Sequence, residues 1–303
     1  MNNQNHENQE HISLSDRLFA LLLHILPHHL LSSLMYVLTR SEWPPLKRLL
    51  IRSAIRIYRV DMGIAQEPDP EKYPSFNAFF TRAITPDARP LTPESSAVAS
   101  PVDGVVSQAQ PIENGMLFQA KGQHYSLQEL LGGDKQWTER FADGNFATIY
   151  LSPRDYHRIH MPLTGRLSIM THVPGRLFSV NTSCARTIPR LFSRNERVVN
   201  LFDTDAGPMA VIMVGAIFVA SMDTVWTGTV SPRSRRATYW DYSGESPDPI
   251  DLDKGAEMGR FNMGSTVILL FGREAVHWSH SLQAGAKVRM GEEIGRLEGI
   301  ASK

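Results

Sequence analysis

The chain has 303 residues, 42% hydrophobic and 20% charged, enough apolar material for one large core or two small ones, which excludes a wholly disordered protein. Lys and Arg balance Asp and Glu at 31 each, so no global field favours nucleic acid, and an electrostatic partner must be read from local clusters. Cys184 is the only cysteine, which excludes an intrachain disulfide, fits a reducing compartment and has an inert buried thiol as its default reading.

Residues 1–10 are polar and lack the basic region of a secretion signal, so they read as a disordered tail. Residues 18–26 and 30–38 are apolar, with Pro27, His28 and His29 between them. A spanning helix needs about 20 continuous apolar residues, so the pattern predicts two short helices lying in a membrane interface. From 46 to 60, Arg48, Arg52, Arg56 and Arg59 recur at helical spacing and share one face. Between Arg40 and Val60, six basic residues stand against the single acid Glu42. That composition suits an anionic lipid surface, although a core-packed helix with a solvated basic face has the same pattern.

After Asp61 the prolines at 68, 70, 74, 86, 90 and 93 mark a connector wrapped over a domain. From Val98 onward short β-branched runs alternate with turns, at 104–107, 146–151, 209–214, 217–220 and 266–270, and predict a β-dominated domain. Helices are few; Ser126 with Glu129 caps a short one that ends at Gly132-Gly133. The stretch 284–295, with Gly around two-residue β pieces, has the texture of a barrel-sandwich hairpin without a modifiable lysine at its tip. The expected fold is α+β: membrane-associated helices and tail over 1–60, then a β-rich catalytic domain over 61–303 that ends in a barrel-sandwich-like hairpin.

Few residues carry chemistry on their own. Asp103, before Gly104, reads by default as a turn. Ser152, Pro153 and Asp155 match the first positions of a single helical turn, with Asp155 in a capping role. His157 and His160 share a face on a helical turn but not on a strand. No Glu or Cys stands near them at ligand spacing, so acid/base work fits at least one of them better than metal binding, and no metal site is predicted. Gly264-Ser265-Thr266 precedes an apolar strand, and its default reading is also a turn. The Gly-x-Ser-x-Gly elbow of common hydrolases is absent.

Taken together, and in order, several motifs change these readings. They are Phe79-Phe80-Thr81-Arg82, Ala88-Arg89-Pro90-Leu91, Ser100-Pro101-Val102-Asp103-Gly104, Lys121-Gly122, Tyr156 to Pro162, Val173 to Asn181, Asn195-Glu196-Arg197 and Gly264-Ser265-Thr266. This set resembles the bacterial phosphatidylserine decarboxylase proenzyme family from about residue 46 to the end. Met263 departs from the leucine usual before Gly-Ser-Thr, a change of similar volume.

The resemblance implies that the chain cuts itself between Gly264 and Ser265, into a large chain (1–264) and a small one (265–303). Ser265 attacks the Gly264 carbonyl, with His160 as base and Asp103 as its orienting partner, a triad of the kind that activates serine elsewhere. Elimination and hydrolysis then leave a pyruvoyl group, the covalent cofactor, in place of Ser265. Its ketone takes the substrate amine as a Schiff base and receives the electrons released with carbon dioxide. The implied reaction converts phosphatidylserine to phosphatidylethanolamine, with His157 in substrate recognition or proton transfer. The implied partners are phosphatidylserine, an anionic membrane surface, and the two chains as a heterodimer that dimerises again, with no nucleic acid. The implied location is peripheral, on the cytoplasmic side of the cell membrane.

Overall fold

The structure is a computed structural model that describes positions 21 and 23 and residues 27–120, 122–217, 221–230, 236–244, 248–264 and 266–298. The second apolar stretch is helical, as α1 (His28–Arg40), and so is the basic segment, as α2 (Pro44–Tyr58). Pro44 and Pro45 open α2, where a missing N–H costs nothing. Arg59 closes it at φ 55°. Apart from positions 21 and 23, the segment 18–26 lies outside the described residues, as does the tail 1–10. Among the described residues no helix is long and apolar enough to cross a membrane.

The inner face of α2 packs on α3 (Phe76–Phe80), which Ser75 caps by accepting from the Ala78 N–H. Ile51 and Ala54 join Tyr73, Phe76, Phe79 and Phe80 in a small core that draws on residues from both sides of position 60. Other apolar side chains of α1, of α2 and of the link between them do the opposite. Leu30, Leu34, Val37, Trp43, Leu49 and Ile57 are all more than half exposed.

The remaining chain is mostly strand. It begins with β1 (Ala97–Ala99), β2 (Gly104–Pro111) and the antiparallel pair β3 (Met116–Ala120) and β4 (Gln123–Ser126). Helices α4 (Leu127–Leu130) and α5 (Lys135–Phe141) lead to β5 (Asn145–Tyr150), β6 (Arg158–His160) and β7 (Gly165–Val173). Helices α6 (Thr182–Thr187) and α7 (Leu191–Arg194) precede the paired β8 (Arg197–Thr204) and β9 (Gly207–Val214). Then come β10 (Met222–Thr224), β11 (Gly228–Val230), β12 (Thr238–Asp241), β13 (Asp251–Leu252) and β14 (Glu257–Phe261). The last four are β15 (Thr266–Phe271), β16 (Val276–Trp278), β17 (Lys287–Val288) and β18 (Glu293–Leu297).

A nine-stranded sheet runs β12-β7-β8-β9-β15-β5-β2-β17, with β13 also on β7; a four-stranded sheet runs β11-β10-β14-β6, and a three-stranded one β1-β18-β16. The fold is therefore α+β with antiparallel sheets and short helices. The expected strands at 104–107, 146–151, 209–214 and 266–270 fall on β2, β5, β9 and β15. In the expected strand at 217–220, Ile217 lies in a turn and 218–220 lie outside the described residues. Ser126 caps α4, accepting from the Glu129 N–H, and Gly132 and Gly133 follow at positive φ as expected.

The C-terminal barrel-sandwich hairpin is not formed. β17 pairs with β2 in the large sheet, whereas β18 lies between β1 and β16 in the small one, and no barrel closes. Between them Gly291, at φ 88°, donates to the Ser100 carbonyl and passes so close to Pro90 that a Cβ would lie 2.7 Å from its carbonyl oxygen. The glycine-bounded pieces thus specify a turn against the earlier chain, and two-residue strands carry too little pattern to name their partner.

Candidate active site

β15 is the hydrophobic centre of the large sheet. All six of its residues are buried, and it is hydrogen-bonded on both edges, which its unbroken apolar run requires. Residues 262–265 carry the chain from β14 in the four-stranded sheet to β15 in the nine-stranded one. Both ends of this crossing are anchored. Fully buried Asn262 donates its backbone N–H to Ser221 O (3.1 Å) and its side-chain amide to Ser221 Oγ (2.7 Å) and Asp223 Oδ1 (2.8 Å), and its Oδ1 accepts from Asn77 (3.0 Å). Thr266 sits opposite Tyr150 on one side and Val214 on the other. Ser265 lies outside the described residues, and its neighbours define the site.

Two cavities flank the crossing. One of about 440 Å³ is lined by Val106, Tyr150, Val180, Phe192 and Thr266. A second, of about 190 Å³, lies between Ala54 and Tyr58 of α2 and the chain at Phe80 and Gly264. Tyr150 and Val180 border both. The hydroxyl of Thr266 is buried with no hydrogen-bond partner among the described residues.

His157 faces the crossing. Its Nε2 lies 3.7 Å from where a Cβ on Gly264 would stand, and it has no partner among the described residues. Nδ1 is 2.8 Å from the Asp155 carbonyl, which can only accept, so Nδ1 carries the proton and Nε2 presents a lone pair. Burial pushes the His157 pKa down to about 3, opposed by that hydrogen bond. At neutral pH the ring is therefore uncharged. The Phe80 ring packs against it at 4.0 Å between centroids.

His160 is placed differently. It ends β6, and alternation along a strand puts it on the opposite face from His157 and Ile159, beside Arg158. Its Nδ1 donates to the Gly255 carbonyl at 2.7 Å, and its Nε2 accepts from the Tyr156 hydroxyl at 3.0 Å. Burial lowers its pKa, opposed by the bond to Gly255 and by the charges of Glu257 and Asp103. No atom of His160 lies within 4 Å of the Gly264 Cβ position.

Asp103 stands just before β2, and its carboxylate is held by a two-pronged Arg89 (2.8 Å from Nε, 2.5 Å from Nη2) and by the Met290 N–H at 2.8 Å. It makes no hydrogen bond to His160. The two segments do meet, through the His160 N–H and the Pro101 carbonyl at 2.9 Å. The expected helical turn at 152–155 is a single non-helical turn. There Asp155 accepts from both the backbone N–H and the hydroxyl of Ser152 (2.7 Å each), which closes the turn before a helix can start.

Asn262, Phe80, Arg89 and Tyr156 carry no role legible from residue identity and spacing alone. Three of the four stand in the quoted motifs, and that was the available signal. Asn262 is signalled only as a polar residue next to an apolar run.

Comparison with known proteins bears on this arrangement. The model of the family described as Phosphatidylserine decarboxylase matches residues 76–296, and one described as PSD matches residues 18–59. The chain is 54% identical over 283 residues to the phosphatidylserine decarboxylase proenzyme of Azotobacter vinelandii, an alignment spanning 93% of this chain and 99% of that protein. It is 53% identical over 279 residues to the proenzyme of Bordetella pertussis (92% and 94%) and 49% identical over 285 residues to that of Shewanella frigidimarina (93% and 99%). All these matches point to one class, the decarboxylases. The chain belongs to the phosphatidylserine decarboxylase family.

Proposed function

We propose that this chain cuts itself between Gly264 and Ser265 and, in the cut form, decarboxylates phosphatidylserine to phosphatidylethanolamine and carbon dioxide. In the cut, a bond forms from Ser265 Oγ to the Gly264 carbonyl carbon as the Gly264–Ser265 amide bond breaks, and the hydroxyl proton ends on the freed amine. His160 serves as the base, with Asp103 beside it. The supporting contact is the backbone bond from His160 to Pro101, which sets the two segments side by side. For Asp103 to orient the ring, His160 has to exchange Gly255 for Asp103 as its Nδ1 partner.

Elimination would then release the Gly264 carboxylate and leave a dehydroalanine, whose hydrolysis, with the former Ser265 nitrogen leaving as ammonia, would put a pyruvoyl ketone in place of Ser265; that group would supply an electron sink for the bond to the substrate's departing carboxylate. The surroundings of Gly264 fit such a group: a buried, neutral His157 presents an unshared lone pair, and Phe80 screens the ring from water. His157 hydrogen-bonds the polar substrate atoms; its Nε2 lone pair takes the proton that the substrate ammonium loses as the amine condenses, and the ring, whose charged form is so disfavoured, returns that proton to the carbon from which carbon dioxide has left.

The finer reading of location rests on the outer faces of α1 and α2. Their exposed leucines, Val37, Trp43 and Ile57, together with the arginine row, suit peripheral attachment to an anionic cytoplasmic membrane face. The smaller cavity then lies between that attachment helix and Gly264.

The observation that carries the reading is the buried His157 nitrogen, without a hydrogen-bond partner among the described residues, that lies close to Gly264 just before the central strand. Intact mass of the purified protein tests it. Two chains are expected, 1–264 and 265–303, the smaller without a free N-terminal amine, and Ser265→Ala should remain one chain without activity. A single full-length species in an active preparation removes the proposal.

A further inference from the structure

Met263, directly before Gly264, has a backbone φ of 124°. This is a conformation that a side chain opposes and that glycine alone adopts at little cost. Nothing in a methionine favours it, so the surroundings must impose it. Asn262 is fastened on one side by its bonds to Ser221, Asp223 and Asn77. Arg40 of α1 reinforces that anchor through Ser221 Oγ at 3.1 Å. Thr266 is fastened on the other side between β5 and β9. The Met263 side chain packs on the small core around Ile51, Phe76 and Phe80.

We infer that Met263 is a positioning residue for self-cleavage: its distorted backbone raises the energy of the uncut chain and is relieved once the Gly264–Ser265 bond breaks. While the chain is continuous, the Asn262 and Thr266 anchors are tied together and Met263 takes up the mismatch. Once the bond is exchanged for an ester and then lost, the two anchors are independent and Met263 can return to an ordinary conformation. Strain present in the reactant and absent in the product lowers the barrier to the step that releases it. The α1 and α3 contacts to the anchor make the N-terminal helices part of the device.

The inference rests on the self-cleavage reading, and the test separates the two. Met263→Gly, Met263→Ala and Met263→Leu are made in the full chain, and the rate of appearance of the two fragments is followed from synthesis. Alanine removes the packing but keeps the Cβ, whereas glycine removes the strain as well. The expected result is cleavage slowed about tenfold in the glycine variant, a loss of about 1.4 kcal/mol of driving strain, with alanine and leucine within about twofold of native.

A second measurement uses the same substitutions in the Ser265→Ala chain. There glycine should give a higher Tm than alanine, the reverse of the usual order, in which glycine is the more costly residue. Equal cleavage rates for glycine and alanine, or a lower Tm for glycine, overturn the inference. A native chain that is never cut overturns the self-cleavage reading, while the Tm order in Ser265→Ala still reports on the strain by itself.

Discussion

His157 and His160 stand three residues apart, yet their surroundings differ in each respect that bears on chemistry. His157 is enclosed and neutral, with no partner at Nε2 among the described residues, whereas both ring nitrogens of His160 are engaged. The expected outcome is a division of labour. His157→Ala should still be cut but lose decarboxylation by about a hundredfold, the contribution of a positioned acid or base, and His160→Ala should stay uncut. Turnover unchanged in the first variant would make His157 structural, and normal cleavage in the second would give the base role to another group. Burial also predicts a pH signature. With a folded pKa of about 3 against an ordinary 6.5, the unfolded chain takes up a proton that the folded chain refuses throughout that interval. The stability owed to the neutral buried ring is complete above pH 6.5 and is lost as pH falls toward 3. In the Ser265→Ala chain, Tm should therefore fall between about pH 6.5 and 4, and His157→Asn, which cannot be charged, should flatten that fall; an unaltered slope would mean that the ring titrates freely.

The arginine face of α2 is only partly available to a membrane. Arg48 Nε lies 2.5 Å from Glu71 Oε2 and Arg52 Nη2 lies 2.9 Å from Glu71 Oε1, and the two arginines together hold the Glu71 carboxyl below its usual range despite the opposing effect of burial. Both arginines remain largely exposed, and such surface pairs exchange readily with solvent and other anions. Glu71 lies beyond the helix, so the local charge count that made the segment look strongly basic omitted its main counter-ion. Replacing Arg48, Arg52 and Arg56 by Gln should weaken binding to vesicles containing an anionic lipid by about tenfold or more. Glu71→Gln should strengthen it, and both effects should shrink as salt is raised. Co-sedimentation with vesicles reads all of this, and equal binding by native, triple and Glu71 variants would turn this face away from lipid.

Residues 266–298 are woven through the molecule. β15 is the inner strand between β5 and β9, β17 closes the end of the same sheet on β2, and β18 lies between β1 and β16. Cutting before β15 breaks one covalent bond and none of these ladders. The two chains should therefore co-elute under native conditions and separate only in denaturant, and native separation would mean that the small chain is held at the surface. Several strands, the α4 cap, α2 and the order of the motifs were legible in the chain, because each depends on residue identity and spacing within a few positions. β7 and β8 were not foreseen, since buried polar residues such as Arg197 and Asn200 interrupt their apolar pattern. The sequence by itself determined the family, the candidate residues Asp103, His157, His160, Gly264 and Ser265, and the apolar strand that follows the cut. Only the tertiary structure decided that His157 rather than His160 faces Gly264, that Arg89 holds Asp103, that Met263 is distorted, and that the C-terminal strands enter different sheets. Those features arise where segments distant in the chain meet, and strand pairing, which brings them together, is not encoded by the pattern of either segment alone.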